Sequence, residues 1–196
     1  MANSDDLKTR DLGELTVTFG TRPKMPRIER ATDADRRQGR KLAAIHRAHL
    51  MDLSRVARLL EAVKSGHAEP KALSDMVLSL DMAENFRAFG TLCGQECRVL
   101  TFHHDAEEHG MFPALEASGM PQLQAVVARL RAEHEVVHEL LERLQRAAMT
   151  LMFEPGETEF QAAADIFEKL TEVVKSHFGY EESELEEAIG VYLKGI

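Results

Sequence analysis

Four stretches of this chain carry apolar residues at the 3.6-residue spacing of an amphipathic helix, and each stripe is interrupted by histidine. Such a chain packs helices against one another and must then satisfy the imidazoles it buries. The first stripe, Leu42, Ile45, His46, His49, Leu53, Val56, Leu60 and Val63, follows Thr32-Asp33, an N-cap with an acidic first turn, and runs to Ser65-Gly66. The second starts after Pro70 with Leu73, Val77, Leu80, Phe86, Phe89, Leu92, Val99, Leu100 and His103 and continues to Glu107. Gly90 and Gly94 weaken it by about 1 kcal/mol each relative to Ala. It should end or kink around Gly110-Met111-Phe112-Pro113, because a proline at 113 disfavours an α conformation at Phe112. The third opens at Pro121, reads Leu123, Val127, Leu130, His134, Val137, Leu141 and Leu144, and runs to about Phe153. After the breaker Glu154-Pro155-Gly156-Glu157, the fourth starts near Thr158 and reads Phe160, Phe167, Leu170, Val174, His177, Glu181, Leu185 and Ile189, closing before Gly190.

Four long helices joined by short turns predict an all-α fold, an antiparallel up-down-up-down four-helix bundle over residues 33–190. Residues 1–32 contain Gly20, Pro23, Pro26 and the alternating Leu15-Thr16-Val17-Thr18-Phe19, and read as an extended N-terminal arm. Residues 191–196 form a short C-terminal tail.

Charge and composition narrow the partners. With 24 Lys plus Arg against 33 Asp plus Glu the net charge is -9, which argues against a phosphate-tracking face and so against nucleic acid. No uncharged apolar run approaches the ~20 residues that span a bilayer, and Met1 to Lys8 lack an apolar export core, so neither membrane insertion nor export is expected. Cys93 and Cys97 are too few and too close on one helix for a disulfide framework, which fits a cytoplasmic location, and packing is the role expected of them.

The chain has nine histidines, and His67 alone stands outside four short windows. His103 with Glu107, and His177 with Glu181, are spaced four apart on inward faces. His134 and His138 form an HxxxH pair, and His46 and His49 sit between Leu42 and Leu53. Burying these imidazoles and carboxylates without compensation costs several kcal/mol per ionised group, and metal ions satisfy them together. Five histidines with two carboxylates exceed what tetrahedral zinc takes and suit two first-row ions. Ferritin-like sites need two Glu-x-x-His motifs, whereas this chain has only Glu135-x-x-His138.

The ordered set H, HxxxE, H, HxxxE resembles the hemerythrin-like family with HHE cation-binding domains. The resemblance is carried by Ile45-His46-Arg47-Ala48 and by His103-His104-Asp105-Ala106-Glu107-Glu108, followed by Met111-Phe112-Pro113-Ala114-Leu115. Glu133-His134-Glu135 and His177-Phe178-Gly179-Tyr180-Glu181-Glu182 complete it. It implies two iron ions in an oxo- or hydroxo-bridged centre, with His46 and His103 on one iron, His134, His138 and His177 on the other, and Glu107 and Glu181 bridging. It also implies a small-molecule ligand, O2, peroxide or nitric oxide, that is bound or turned over in a catalase-like way. Oxygen-carrying hemerythrins place the last carboxylate five residues after its histidine, which would choose Glu182; many bacterial relatives use four, and the stripe favours Glu181. His49 remains the alternative to His46. His104, turned about 100° from His103, is a reserve ligand, Glu96 is a hydrogen-bond partner for a ligand histidine, and His67 and His109 are solvated. A second functional class is iron or oxygen sensing without turnover, with Arg22, Lys24, Arg27 and Arg30 of the arm docking a protein partner.

Overall fold

The computed structural model describes residues 4–65, 95–154 and 156–193, and regular structure among them is entirely helical. It comprises α1 (Ser4–Thr9), a 3-10 turn (Leu12–Glu14), α2 (Asp33–Lys64), α3 (Gln95–Ala106), a π-helical turn (Glu107–Met111), α4 (Phe112–Glu116), α5 (Pro121–Phe153) and α6 (Glu157–Tyr192). The start of α2 is closed by a reciprocal cap: the Asp35 N–H donates to Thr32 Oγ1 (3.2 Å) and the Thr32 N–H to Asp35 Oδ2 (2.8 Å). Proline opens α5, where its missing N–H costs nothing. The fourth predicted helix runs on past Gly190 to Tyr192, into what the sequence alone gives to the tail.

His67 and the first half of the predicted second helix, with Gly90, Cys93 and Gly94, lie outside the described residues, as do the side chains of Glu96 and Cys97. At the predicted break around Pro113 the chain stays helical. The Phe112 N–H bonds to the Glu107 carbonyl, five residues back, and the helix continues through Pro113 to Glu116. Widening the turn by one residue absorbs the bond that Pro113 cannot make, so no helix end is needed. The exposed His109 donates from Nδ1 to the Asp105 carbonyl (2.9 Å) within this turn.

Leu144 and Ala148 of α5 share a cluster with Phe160 and Ala163 of α6, while Leu123 and Leu130 share one with Leu185 and Ile189, so these two helices run antiparallel. The same holds for α2 and α6, whose backbones meet at two glycines. A Cβ at Gly39 would run into the Glu186 carbonyl, and one at Gly190 into that of Asp35. Between the helices of this bundle lie two apolar clusters. One includes Leu53, Val56, Val137, Leu144 and Phe167; the other Leu42, Phe112, Leu130, Leu185 and Ile189. In α2, α5 and α6 the polar residues His46, His134, His177 and Glu181 fall between the stretches that feed the two clusters, so a polar layer divides the core.

The N-terminal segment is a bound strap that begins with a helix. Leu7, Leu15 and Val17 enter the first cluster, Ile28 and Ala31 the second. Arg143 donates to the Leu7 carbonyl (2.9 Å) and Arg129 to those of Phe19 (2.6 Å) and Val17. Glu184 accepts from the Met25 N–H (2.7 Å) and Lys24 (3.1 Å), Glu187 from the Ile28 N–H (2.7 Å), and Tyr180 donates to the Pro23 carbonyl (2.8 Å). Three of the four cations that the sequence offered to a partner contact this chain itself: Arg22 meets Glu133, Lys24 meets Glu184, and Arg30 lies over the Tyr192 ring at 5.1 Å, while Arg27 is exposed. No helix among the described residues is long and apolar enough to cross a membrane.

Candidate metal centre

The polar layer holds two groups of candidate ligands, His46 with His103, Glu107 and Glu181, and His104 with His134 and His177. Within each group the donor atoms lie within 4.8 Å of one another. The two carboxylates stand between the groups. Glu107 places Oε1 3.1 Å from His103 Nε2 and Oε2 3.4 Å from His134 Nε2, while Glu181 Oε2 lies 3.4 Å from His46 Nε2 and 3.9 Å from His177 Nε2. Each carboxylate therefore reaches both groups.

Adjacent residues on a helix point about 100° apart. Here that angle lets α3 serve both groups, His103 meeting His46 with ring centroids 5.0 Å apart and His104 stacking on His134 at 4.0 Å.

The imidazoles are oriented through their other nitrogen. Nδ1–H of His46 donates to Glu182 Oε1 (2.9 Å), that of His134 to Glu108 Oε1 (2.8 Å) and that of His177 to Glu133 Oε2 (3.2 Å). A proton held on Nδ1 leaves the Nε2 lone pair facing the centre. His104 Nδ1 shares a hydrogen bond with His138 Nε2 (3.2 Å). The supporting carboxylates are themselves held. Arg131 pairs with Glu108, and Glu133 accepts from Arg22 (2.8 and 2.9 Å) and Arg129 (2.6 Å). His46 lies flat on Phe178, with centroids 3.8 Å apart.

Burial pushes His46 down to about 4 and His103 to about 2, and holds His104 and His134 well below the ordinary imidazole value, so these rings are neutral at pH 7. Burial pushes Glu181 and Glu107 up, Glu107 further because Glu181 faces it. Glu133 goes the other way: burial would raise it, but the hydrogen bonds from His177, Arg129 and Arg22 outweigh that and hold it low. Nε2 of His104, His134 and His177 and all four oxygens of Glu107 and Glu181 are buried without a hydrogen bond. Lone pairs converging in a dry layer are costly unless a cation accepts them, and a cation also returns the two carboxylates to their ionised form. His46 and His103 bring Nε2 atoms to 3.0 Å, the spacing of two donors about 2.1 Å from one ion at right angles to each other. The residues present fit metal ions, and imidazole with carboxylate is a donor set for the first-row metals.

Of the residues expected from sequence, His46, His103, Glu107, His134, His177 and Glu181 come together in these groups. His138 does not join them. One turn further along α5 it lies past the layer, half-buried, and His104 fills the corner from α3 with His138 behind it. His49 is buried beside the His103 ring, centroids 5.2 Å apart, outside both groups. Glu182 serves His46 through Nδ1. Tyr180 faces the strap, and the Tyr192 hydroxyl lies 2.9 Å from Met120 Sδ. Sequence reasoning missed Glu108, Glu133, Arg22 and Arg129 as supports. One signal was present: both HxxxE motifs continue with a second glutamate, Glu108 and Glu182, and each bears on a histidine of another helix.

The sequence pattern of the hemerythrin HHE cation-binding domain matches residues 39–189, which include every histidine and carboxylate of the layer. Searches of curated proteins and of solved structures return no match. A helical bundle, two groups of histidine and glutamate side chains that could hold metal ions and a family pattern spanning most of the chain agree, and the chain belongs to the hemerythrin HHE cation-binding domain family.

Proposed function

We propose that this chain holds two iron ions and uses them to bind or turn over a small oxidant such as O2, hydrogen peroxide or nitric oxide. His46 and His103 would hold one ion and His104, His134 and His177 the other, with Glu107 and Glu181 within reach of both. The observation that carries this reading is the position of the two shared carboxylates, each within reach of both histidine groups and each without a hydrogen bond. A bound iron pair supplies reversible electron transfer to a small oxidant.

The chain's residues do the rest. Glu182, Glu108 and Glu133 keep the Nδ1 protons of His46, His134 and His177 in place, and apolar clusters flank the layer on either side. His46 and His103 bring fewer imidazoles than the other group, so room for an incoming ligand lies on their side. There a cavity of about 480 Å³, walled by Leu42, Ile45, Met111 and Ile189, reaches His103 and Glu107. Its walls are mostly apolar, with Gln38 and Lys41 beside them, and suit a small ligand. The paucity of cysteine supports a reducing cytoplasm.

The test is metal content and the optical spectrum of protein purified without added iron, for wild type and Glu107→Ala. About two irons per chain with near-ultraviolet charge-transfer bands, both lost in the variant, are expected. Protein that stays colourless after anaerobic ferrous loading overturns the reading.

A further inference from the structure

One link runs from the N-terminal strap into the polar layer. Arg22 crosses to α5 and grips Glu133 with both arms of its guanidinium, Nε on Oε1 at 2.8 Å and Nη2 on Oε2 at 2.9 Å. Its third nitrogen, Nη1, donates to the carbonyl of Ser176, the residue preceding His177, at 3.2 Å. The guanidinium carbon lies 4.7 Å from the ring centre of Tyr180, one turn further along α6, and Tyr180 in turn donates to the Pro23 carbonyl beside Arg22. The same Glu133 accepts Nδ1–H of His177 at 3.2 Å, and the Glu133 side chain is fully buried. Arg22 thus touches the carboxylate that orients His177, the backbone carbonyl before it and the Tyr180 ring one turn beyond it. A planar fork does this and an ammonium does not.

We propose that Arg22 is a positioning residue for His177: delivered by the strap, it fixes the Glu133 carboxylate and the helix around Ser176, and so sets the tautomer, direction and donor strength of the His177 imidazole. The part that concerns iron rests on the reading that His177 is a ligand; the tautomer and orientation of His177 do not. Arg22 also neutralises part of the Glu133 charge. Without it Glu133 is held only by Arg129 from its own helix, and the hydrogen bond that fixes His177 Nδ1–H loosens. Arg129 also pairs with Glu133 but comes from the same helix one turn away, so it does not replace the link to α6.

The experiment compares wild type, Arg22→Ala, Arg22→Lys and Lys24→Ala, all as full chains. Lys24 ties the neighbouring stretch of strap to Glu184 without touching Glu133, so its variant separates strap docking from the link itself. Ring nitrogen chemical shifts of His177 in metal-free protein give the first readout. Wild type and Lys24→Ala are expected to show one Nδ1–H tautomer and Arg22→Ala a mixture, with Arg22→Lys between them. In iron-loaded protein Arg22→Ala should bind one of the two irons roughly tenfold more weakly and with shifted charge-transfer bands. A double-mutant cycle with Glu133→Gln should then show a much smaller effect of Arg22→Ala, the remainder coming from its bond to the Ser176 carbonyl. A wild-type-like tautomer in Arg22→Ala, equal changes in Lys24→Ala, or full additivity with Glu133→Gln each overturn the proposal. Wild type that binds no iron overturns the metal reading alone, and the tautomer comparison still decides the role of Arg22.

Discussion

Glu182 accepts the Nδ1 proton of His46 at 2.9 Å, while the residue before it, Glu181, points into the centre and leaves both oxygens without a hydrogen bond. Two adjacent carboxylates on one helix thus take different tasks, and Glu107 and Glu108 divide them in the same way. Glu181→Gln removes a shared ligand and should sharply lower iron occupancy. Glu182→Gln should keep both irons at roughly ten- to hundredfold weaker affinity for one of them. Chelator competition on the two variants decides it, and the reverse order would reassign the two residues.

His104 and His138 make a second contrast. His104→Ala takes a donor from the group with His134 and His177 and should reduce bound iron from about two per chain to about one. His138→Ala removes only the partner of His104 Nδ1 and should leave both irons in place. Iron counted by plasma emission against protein concentration tests this; equal losses in the two variants would return His138 to the ligand set.

Stability of the metal-free protein should depend on pH through His46. Burial holds it at about 4 against an ordinary 6.5, so below 6.5 the unfolded chain takes up a proton that the folded chain refuses. Stability from this group is fully present above pH 6.5, falls as pH drops, and is lost by about pH 4. The full span is on the order of 3 kcal/mol. The raised carboxylates Glu107 and Glu181 act in the opposite sense, since the folded form then binds the extra protons, so the slope must be isolated by variant. Urea midpoints measured from pH 7.5 to 4.5 should fall less steeply in His46→Gln than in wild type, and identical slopes would remove His46 as a cause.

Two glycines of α6 should respond oppositely to alanine. Gly190 packs against the Asp35 carbonyl of α2, and Gly190→Ala should force the helices apart at a cost of about 2 kcal/mol, a drop of roughly 4–8 °C in Tm. Gly179 is exposed and has open space around it, so Gly179→Ala should stabilise by up to about 1 kcal/mol through helix propensity. Thermal melts of the two variants would contradict this account of the α2–α6 contact if Gly190→Ala melted with wild type.

The local period of the sequence determined the long helices α2, α5 and α6, their starts at Thr32, at Pro121 and just after the Glu154-Pro155-Gly156-Glu157 breaker, and the presence of a layer of histidine and carboxylate between apolar stretches. Each of these follows from residues within a turn or two of one another, where side-chain direction repeats every 3.6 residues. Tertiary structure alone decided which imidazoles meet. The rotation of α3 between α2 and α5 brings His104 into a group and leaves His138 behind it, and the wide turn at Glu107–Met111 carries the chain through Pro113. It also decided that the N-terminal segment lies against its own bundle. The bonds that hold it, from Arg22 to Glu133 and from Lys24 to Glu184, join residues more than a hundred positions apart, and no periodicity within either segment encodes the partner in the other.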